Sequence, residues 1–174
     1  LKNISFSVKE GEIFGIAGVA GNGQSELMSL LTGEGTSGVS GSLIYNCVDI
    51  KNFNPKKRRD MSIAFVPENR LGHSAVPELT LSENILISQF PKNDFINNGM
   101  INHRNIDTQA KKVIDQFNVV TPGIDAKASS LSGGNLQKFV IGREILTNPK
   151  LLIISHPTWG IDAGAEHAIR KSLI

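Results

Sequence analysis

The 174-residue chain is almost neutral, with 18 Lys+Arg against 16 Asp+Glu, and its 40% of hydrophobic residues is enough for the core of one ordinary domain. No apolar run approaches the roughly 20 residues that cross a bilayer, which argues against a membrane-spanning chain. Cys47 is the only cysteine, so there is no disulfide framework, as suits a reducing compartment. The sequence opens at Leu1 inside an alternating pattern and stops at Ile174 inside a helical one, so we expect a piece of a longer protein.

The first 33 residues have the pattern of two strands, a glycine-rich loop and a helix. Apolar residues alternate with polar ones at 4–8, which predicts a half-buried strand. An apolar run at 13–17 predicts a buried strand that leads into GVAGNGQS at 18–25. Leucines at helical spacing follow, and Gly33 ends the predicted helix. Strand, glycine loop and helix in this order are the context of a phosphate-binding loop.

Two glycines of this loop have the spacing of G-x-x-x-x-G-K-[ST], and Ser25 fills its last position, where the hydroxyl binds Mg²⁺. Gln24 stands where the motif has lysine. A charged hydrogen bond is worth roughly 1.5–3 kcal/mol against about 1 for a neutral one, so we expect a nucleotide site weakened about tenfold or somewhat more. The predicted nucleotide-binding residues are Gly18, Gly21, Asn22, Gly23, Gln24, Ser25 and Glu26.

The middle of the chain returns to strand patterns. Residues 42–50 predict a short hairpin around Asn46 and Cys47. The basic run at 56–59 predicts a solvated helix face, with a nucleic-acid contact as the alternative. Residues 62–66 predict a strand that ends in polar residues at 67–70, on the side of an α/β sheet where ligands bind.

Residues 77–128 predict a mostly helical insertion. The capping box at 80–83 opens one helix, residues 91–99 predict a loop, and apolar residues at 3.6 spacing from 106 to 117 form one face of a second helix. The flanking segments, 1–76 and 129–174, would form a nucleotide-binding core.

LSGGNLQK at 131–138 places a serine and two glycines at the start of another helical pattern. Such a helix start exposes unpaired N–H groups at the positive end of the helix dipole, which suits phosphate. The apolar run at 151–154 predicts a buried parallel strand. It ends in Ser155 and His156, and Ile161-Asp162 follows before a last helical pattern.

These motifs, in this order, resemble the nucleotide-binding domain of ABC transporters over essentially the whole chain. The resemblance implies an α/β P-loop NTPase fold with a mostly parallel sheet, a small antiparallel part and a helical insertion. It implies ATP and Mg²⁺ as ligands and two domains paired head to tail, with each ATP between the phosphate loop of one and the signature of the other. The signature residues acting in trans would be Leu131, Ser132, Gly133, Gly134 and Gln137.

A narrower resemblance is to the second domain of tandem ATPase subunits that power bacterial importers of simple sugars and nucleosides. It rests on GVAGNGQSEL, VPENR, LTLSENILI and SHPTWGIDAGA. It implies a first ABC domain in the same longer chain, permease subunits that contact the helical insertion, and a peripheral position on the cytoplasmic face of the plasma membrane. The details of VPENR and TWGIDAGA lean towards nucleoside importers.

The sequence departs from the family where catalysis is carried out. Ser155 and His156 occupy the positions of an Asp that orders Mg²⁺ and a Glu that polarises water, and Glu68 stands where a glutamine is usual. His156 and Glu68 are therefore the candidate catalytic groups, and Asp162 belongs to the motif that follows. We expect a silent or weak phosphate loop and a signature that completes the partner's ATP site.

Two other functions stay open from the sequence. One is a soluble ABC-type ATPase that acts on nucleic acid or ribosomes, for which the basic run at 56–59 is the only support. The other is a regulatory module that binds nucleotide without hydrolysing it. We expect no nucleic-acid partner.

Overall fold

The computed structural model describes residues 2–19, 21–35, 38–89, 95–159, 161 and 163–173, and the chain divides into two compact units, 1–61 and 62–174. Across these described residues, no helix has both the length and the apolar character needed to cross a bilayer. The two units differ in architecture, and each is described in turn below.

The first unit contains helix α1 (Gln24–Thr32), strands β1 (Ile44–Tyr45) and β2 (Val48–Asp49), and helix α2 (Pro55–Asp60). The hairpin predicted at 42–50 is confirmed, since β1 and β2 pair antiparallel. Its turn residues, Asn46 and Cys47, both have positive φ values (47° and 64°), as a two-residue turn of type I′ requires.

The two strands predicted at 4–8 and 13–17 are absent, because no residue in 2–19 belongs to a strand. Their apolar side chains are exposed rather than buried, with Ile13 at 73% and Ile16 at 50% of full exposure. Phe6 and Phe14 stack on each other with ring centroids 5.1 Å apart. An apolar pattern becomes a strand only when a neighbouring strand completes its hydrogen bonds, and these segments have no such ladder.

The basic run at 56–59 lies entirely within α2, which starts with Pro55 at N1 after the cap of Asn54. The predicted solvated face is wrong for Arg58, which is fully buried. Its guanidinium donates five hydrogen bonds of 2.6–3.1 Å to backbone carbonyls, those of Leu30, Leu31, Ile50, Lys51 and Phe53. Arg58 therefore ties the carboxyl end of α1, whose dipole favours a cation, to the segment before α2.

The second unit contains β3 (Ile63–Val66), α3 (Leu81–Gln89), β4 (Ile96–Asn97), β5 (Met100–Ile101), α4 (His103–Gln116), α5 (Gly133–Ile145), β6 (Leu151–Ile154) and α6 (Ala163–Ser172). Strands β3 and β6 pair parallel, with Ile63 opposite Leu151 and Val66 opposite Ile154, so they end at one edge. The strand predicted at 151–154 is confirmed, but its residues are half-buried, because β3 is its only neighbour among the described strands.

The helices of this unit pack around one core that α3, α4 and α5 share with β3. The capping box is confirmed, since the Thr80 N–H donates to Glu83 Oε2 (2.8 Å) and the Glu83 N–H donates to Thr80 Oγ1 (3.1 Å). On α4, the predicted apolar face supplies buried residues Ile106, Ala110 and Val113. The loop predicted at 91–99 is replaced from Ile96 by the hairpin β4–β5, and residues 91–94 lie outside the described part.

Candidate functional site

The glycine-rich loop leads into α1 without a side-chain cap. Gly23 at the N-cap has φ 99° and Gly21 has φ 88°, a left-handed backbone that favours glycine. The Asn22 N–H closes the turn on the Val19 carbonyl (3.2 Å), and Ala20 lies outside the described residues. A helix start leaves its first N–H groups without intrahelical partners, and here no side chain covers them, so the loop fits a phosphate group.

Gln24 is folded back into this loop. Its Nε2 donates to the Val19 carbonyl (3.1 Å), and a Cβ built on Gly18 would lie 2.3 Å from that nitrogen. Gly18 thus provides the space in which the amide sits. The loop has the backbone geometry of a phosphate site, but Gln24, at the position of the motif's lysine, is neutral and already hydrogen-bonded to Val19.

Ser25 and Glu26 follow in the first turn of α1, and both are exposed. The Ser25 hydroxyl is a hard oxygen of the kind that Mg²⁺ binds, and it would hold the ion together with oxygens of the nucleotide phosphates. No group of three His, Cys, Asp or Glu side chains that suits a metal exists among the described residues.

The signature forms a second glycine-rich helix start, at the head of α5, and this one has a serine cap. Ser132 is the N-cap, and its Oγ accepts from the Asn135 N–H (3.4 Å) and from the Asn135 side-chain amide (3.1 Å). Asn135 in turn accepts from the Val120 N–H (3.0 Å), which anchors the helix start to the preceding segment. Gly133 and Gly134 open the helix with no Cβ, next to the half-buried Leu131. This arrangement leaves phosphate room to approach the backbone.

Gln137 differs from the other predicted signature residues because its side chain is only 2% exposed. Its Nε2 donates to the carbonyl of Pro157 (3.2 Å), one residue after His156. In this structure Gln137 supports the neighbouring loop and does not face solvent.

The polar residues predicted after β3 and β6 do come together. His156 Nε2 lies 4.0 Å from Glu68 Oε2, and the Ser155 N–H donates to the Val66 carbonyl (2.9 Å). Both side chains of the pair are partly exposed, at 50% for His156 and 35% for Glu68. Two groups that can hold or accept a proton therefore share one site. Asp162 lies outside the described residues.

Two residues of this cluster were missed as site residues. Arg70 donates from Nη2 to the Trp159 carbonyl, and the Trp159 ring centroid lies 5.4 Å from that of His156. The only sequence signal for these two residues is their presence in VPENR and TWGIDAGA, two segments that carry the family resemblance. We name the group Glu68, Arg70, Ser155, His156 and Trp159 the strand-end cluster.

The chain is similar in sequence to known proteins. The sequence model described as "ABC transporter" matches residues 1–159. The chain is 42% identical over its whole length to the nucleoside import ATP-binding protein NupA of Lactococcus lactis subsp. cremoris. It is 41% identical to the guanosine import ATP-binding protein NupO of Bacillus subtilis. It is 35% identical to the glucose import ATP-binding protein TsgD13 of Haloferax volcanii.

The chain spans about a third of the length of these curated relatives, 34% of NupA and of NupO and 32% of TsgD13. Among solved structures, one of an ATP-binding cassette bound to ADP and Pi is similar to this chain, with a TM-score of 0.80 at 24% identity. The match covers 99% of this chain and 72% of the cassette's chain. That likeness gives the fold, and it agrees with the predicted α/β ATPase class.

Proposed function

The chain belongs to the ABC transporter family, and from this premise we propose that it is an ATP-binding domain of an importer whose two helix starts have unequal roles. Its own phosphate loop binds nucleotide weakly and hydrolyses it slowly or not at all. Its signature completes the ATP site of a second ABC domain. ATP hydrolysis is then a property of the whole protein.

A single observation carries the proposal. The loop before α1 holds a neutral glutamine folded onto Val19, whereas the start of α5 keeps its serine cap and both glycines. At the strand-end cluster, Ser155 offers Mg²⁺ no charge. The His156–Glu68 pair stands where the family has a water-polarising carboxylate and a glutamine. Gln24, Ser155 and His156 thus differ from the side chains that the family has at these three positions, whereas the signature keeps Ser132, Gly133 and Gly134.

The partners follow from the relatives. Proteins named for import of nucleosides, guanosine and glucose align with the entire chain, and this chain matches only about a third of each. We infer a second ABC domain in the same longer protein, permease subunits, and a peripheral position at the cytoplasmic face of the plasma membrane. NupA and NupO, at 42% and 41% identity, are named for import of nucleosides and of guanosine, which favours a nucleoside over a sugar as cargo.

The basic run at 56–59 does not support a nucleic-acid-binding site. Lys56 pairs with Asp60 (3.2 Å), Lys57 lies 3.5 Å from the Phe53 ring centroid, and Arg58 is buried. These three cations serve the local structure, so the importer remains the function that the residues support best.

The test is ATP turnover by the full-length protein with its permeases. Ser132→Arg places a bulky cation at the signature, and we expect turnover to fall at least tenfold. Ser129→Arg is the matched control, because Ser129 is also an exposed serine, three residues before Ser132 and outside the signature. Unchanged turnover in Ser132→Arg, with correct assembly, would contradict the proposal.

A further inference from the structure

Helix α5 contacts the loop after β6, which carries His156, and the loop after β3, which carries Glu68. Gln137 donates to the Pro157 carbonyl, which fixes the loop that carries His156. Six residues further on, about 9 Å along the helix axis, Arg143 reaches towards the other loop. Gln137 and Arg143 are each only 2% exposed.

Arg143 acts on that loop through Ser74. Its Nη2 donates to the Ser74 carbonyl (2.8 Å), while its Nε donates to Glu144 Oε1 (3.0 Å). Glu144 is fully buried, and the charge pair holds the guanidinium in place. The Gln89 side-chain amide donates to the Arg143 carbonyl (3.3 Å), which adds an anchor from α3.

Ser74 then holds the backbone on both sides of Glu68. Its Oγ donates to the Pro67 carbonyl (3.2 Å), and its N–H donates to the Asn69 carbonyl (3.0 Å). Ser74 is itself buried at 6% exposure. Arg143 on α5 therefore binds the carbonyl of Ser74, and Ser74 hydrogen-bonds to the residues on both sides of Glu68, the candidate carboxylate.

We propose that Gln137 and Arg143 are positioning residues that set the separation of Glu68 and His156. Gln137 sets the His156 side through Pro157, and Arg143 sets the Glu68 side through Ser74. Both lie on the helix that begins with the signature, so one rigid element carries the phosphate-binding N–H groups and aligns the cluster. The assignment is independent of whether this domain hydrolyses ATP.

Trp159 provides the reporter, since its ring packs against His156 and its carbonyl accepts from Arg70. We would incorporate 5-fluorotryptophan into the full-length protein and assign the ¹⁹F resonance of Trp159 by its loss in Trp159→Phe. The resonance responds to a displacement of either loop. Thermal unfolding, measured in parallel, reports general destabilisation.

Three variants separate positioning from packing. Gln137→Met removes the donor and keeps the volume, and Ser74→Ala removes the bond to Pro67 but keeps the carbonyl that Arg143 uses. Ile141→Val is the control, because Ile141 is fully buried on the same helix and its side chain carries no hydrogen-bonding group. We expect the first two to move the Trp159 resonance, and the third to lower the unfolding temperature without moving it.

Arg143 itself is tested by Arg143→Lys, which keeps a cation beside Glu144. We expect it to move the Trp159 resonance as Ser74→Ala does, and if it fails to fold, Ser74→Ala still tests the next step, from Ser74 to Pro67. Hydrogen exchange at the Trp159 amide, which donates to the His156 carbonyl, should be about two- to tenfold faster in Gln137→Met. An unmoved resonance in both Gln137→Met and Ser74→Ala, or an equal shift in Ile141→Val, would overturn the proposal.

Discussion

Gln24→Lys is the most direct test of the proposal that the phosphate loop binds nucleotide weakly. In Gln24→Lys, a charged donor replaces an amide that now bonds to the Val19 carbonyl at 3.1 Å. A charge-assisted hydrogen bond is worth roughly 1.5–3 kcal/mol against about 1 for a neutral one, which leaves a gain of about 0.5–2 kcal/mol. That gain corresponds to about two- to thirtyfold tighter binding of Mg-ATP.

The assay is calorimetric titration of Mg-ATP into the full-length protein, in which the weaker class of sites should tighten. Gln24→Met is the matched control, because methionine has similar length but no donor, and it should bind no better than the parent. Screening provides a second check. The Debye length falls from about 10 Å at 0.1 M salt to about 3 Å at 1 M, so the advantage of lysine should shrink as salt is added.

If Gln24→Lys bound Mg-ATP no more tightly than Gln24→Met at low salt, the loop would not hold phosphate in the way its backbone indicates. The uncapped start of α1 would then be a structural turn. An equal gain at every salt concentration would instead assign the effect to loop conformation, since an ionic contribution must be screened.

The other two predictions concern stability. Arg58→Met should lower the free energy of unfolding by about 3–5 kcal/mol in a denaturant titration, because five carbonyls lose their buried donor, whereas Lys56→Met should cost under about 1 kcal/mol. Equal costs would refute the buried-clamp interpretation. Hydrogen bonds from Thr80 lower the pKa of Glu83 below 4.5, so its stabilisation of α3 is present above 4.5 and is lost as the pH falls through the lowered value. Glu83→Gln should therefore lower the melting temperature at pH 7 and lower it much less in acid, where Glu83 is protonated, and a difference that is constant with pH would contradict this linkage.

Features that depend on neighbouring residues in the sequence could be predicted. The capping box of Thr80 and Glu83, and the hairpin turn at Asn46 and Cys47, are each specified within a few residues, and the structure has both. The meeting of Glu68 with His156 could also be predicted, because parallel strands β3 and β6 end at the same edge.

Features that depend on distant partners could not be predicted in the same way. Arg58 looked like part of a solvated run, but its acceptors include carbonyls 27 and 28 residues earlier in the chain. Gln137 was assigned to a surface motif, and its acceptor lies 20 residues later. The segments at 4–8 and 13–17 carry a strand pattern, yet a strand also needs a neighbouring ladder, which their own residues cannot specify.

The two helix starts explain why such a domain can lose chemistry and keep a function. Phosphate binding at a helix start uses backbone N–H groups, and substituting a side chain elsewhere does not remove them. Proton transfer and metal binding use particular side chains, so under the proposed function the residues Gln24, Ser155 and His156 would change them directly. The start of α5 depends only on the Ser132 cap and two glycines, and the inner face of the helix holds the strand-end cluster through Gln137 and Arg143. Selection for a partner's ATP site would therefore maintain α5 and its supporting contacts even where the local catalytic groups have changed.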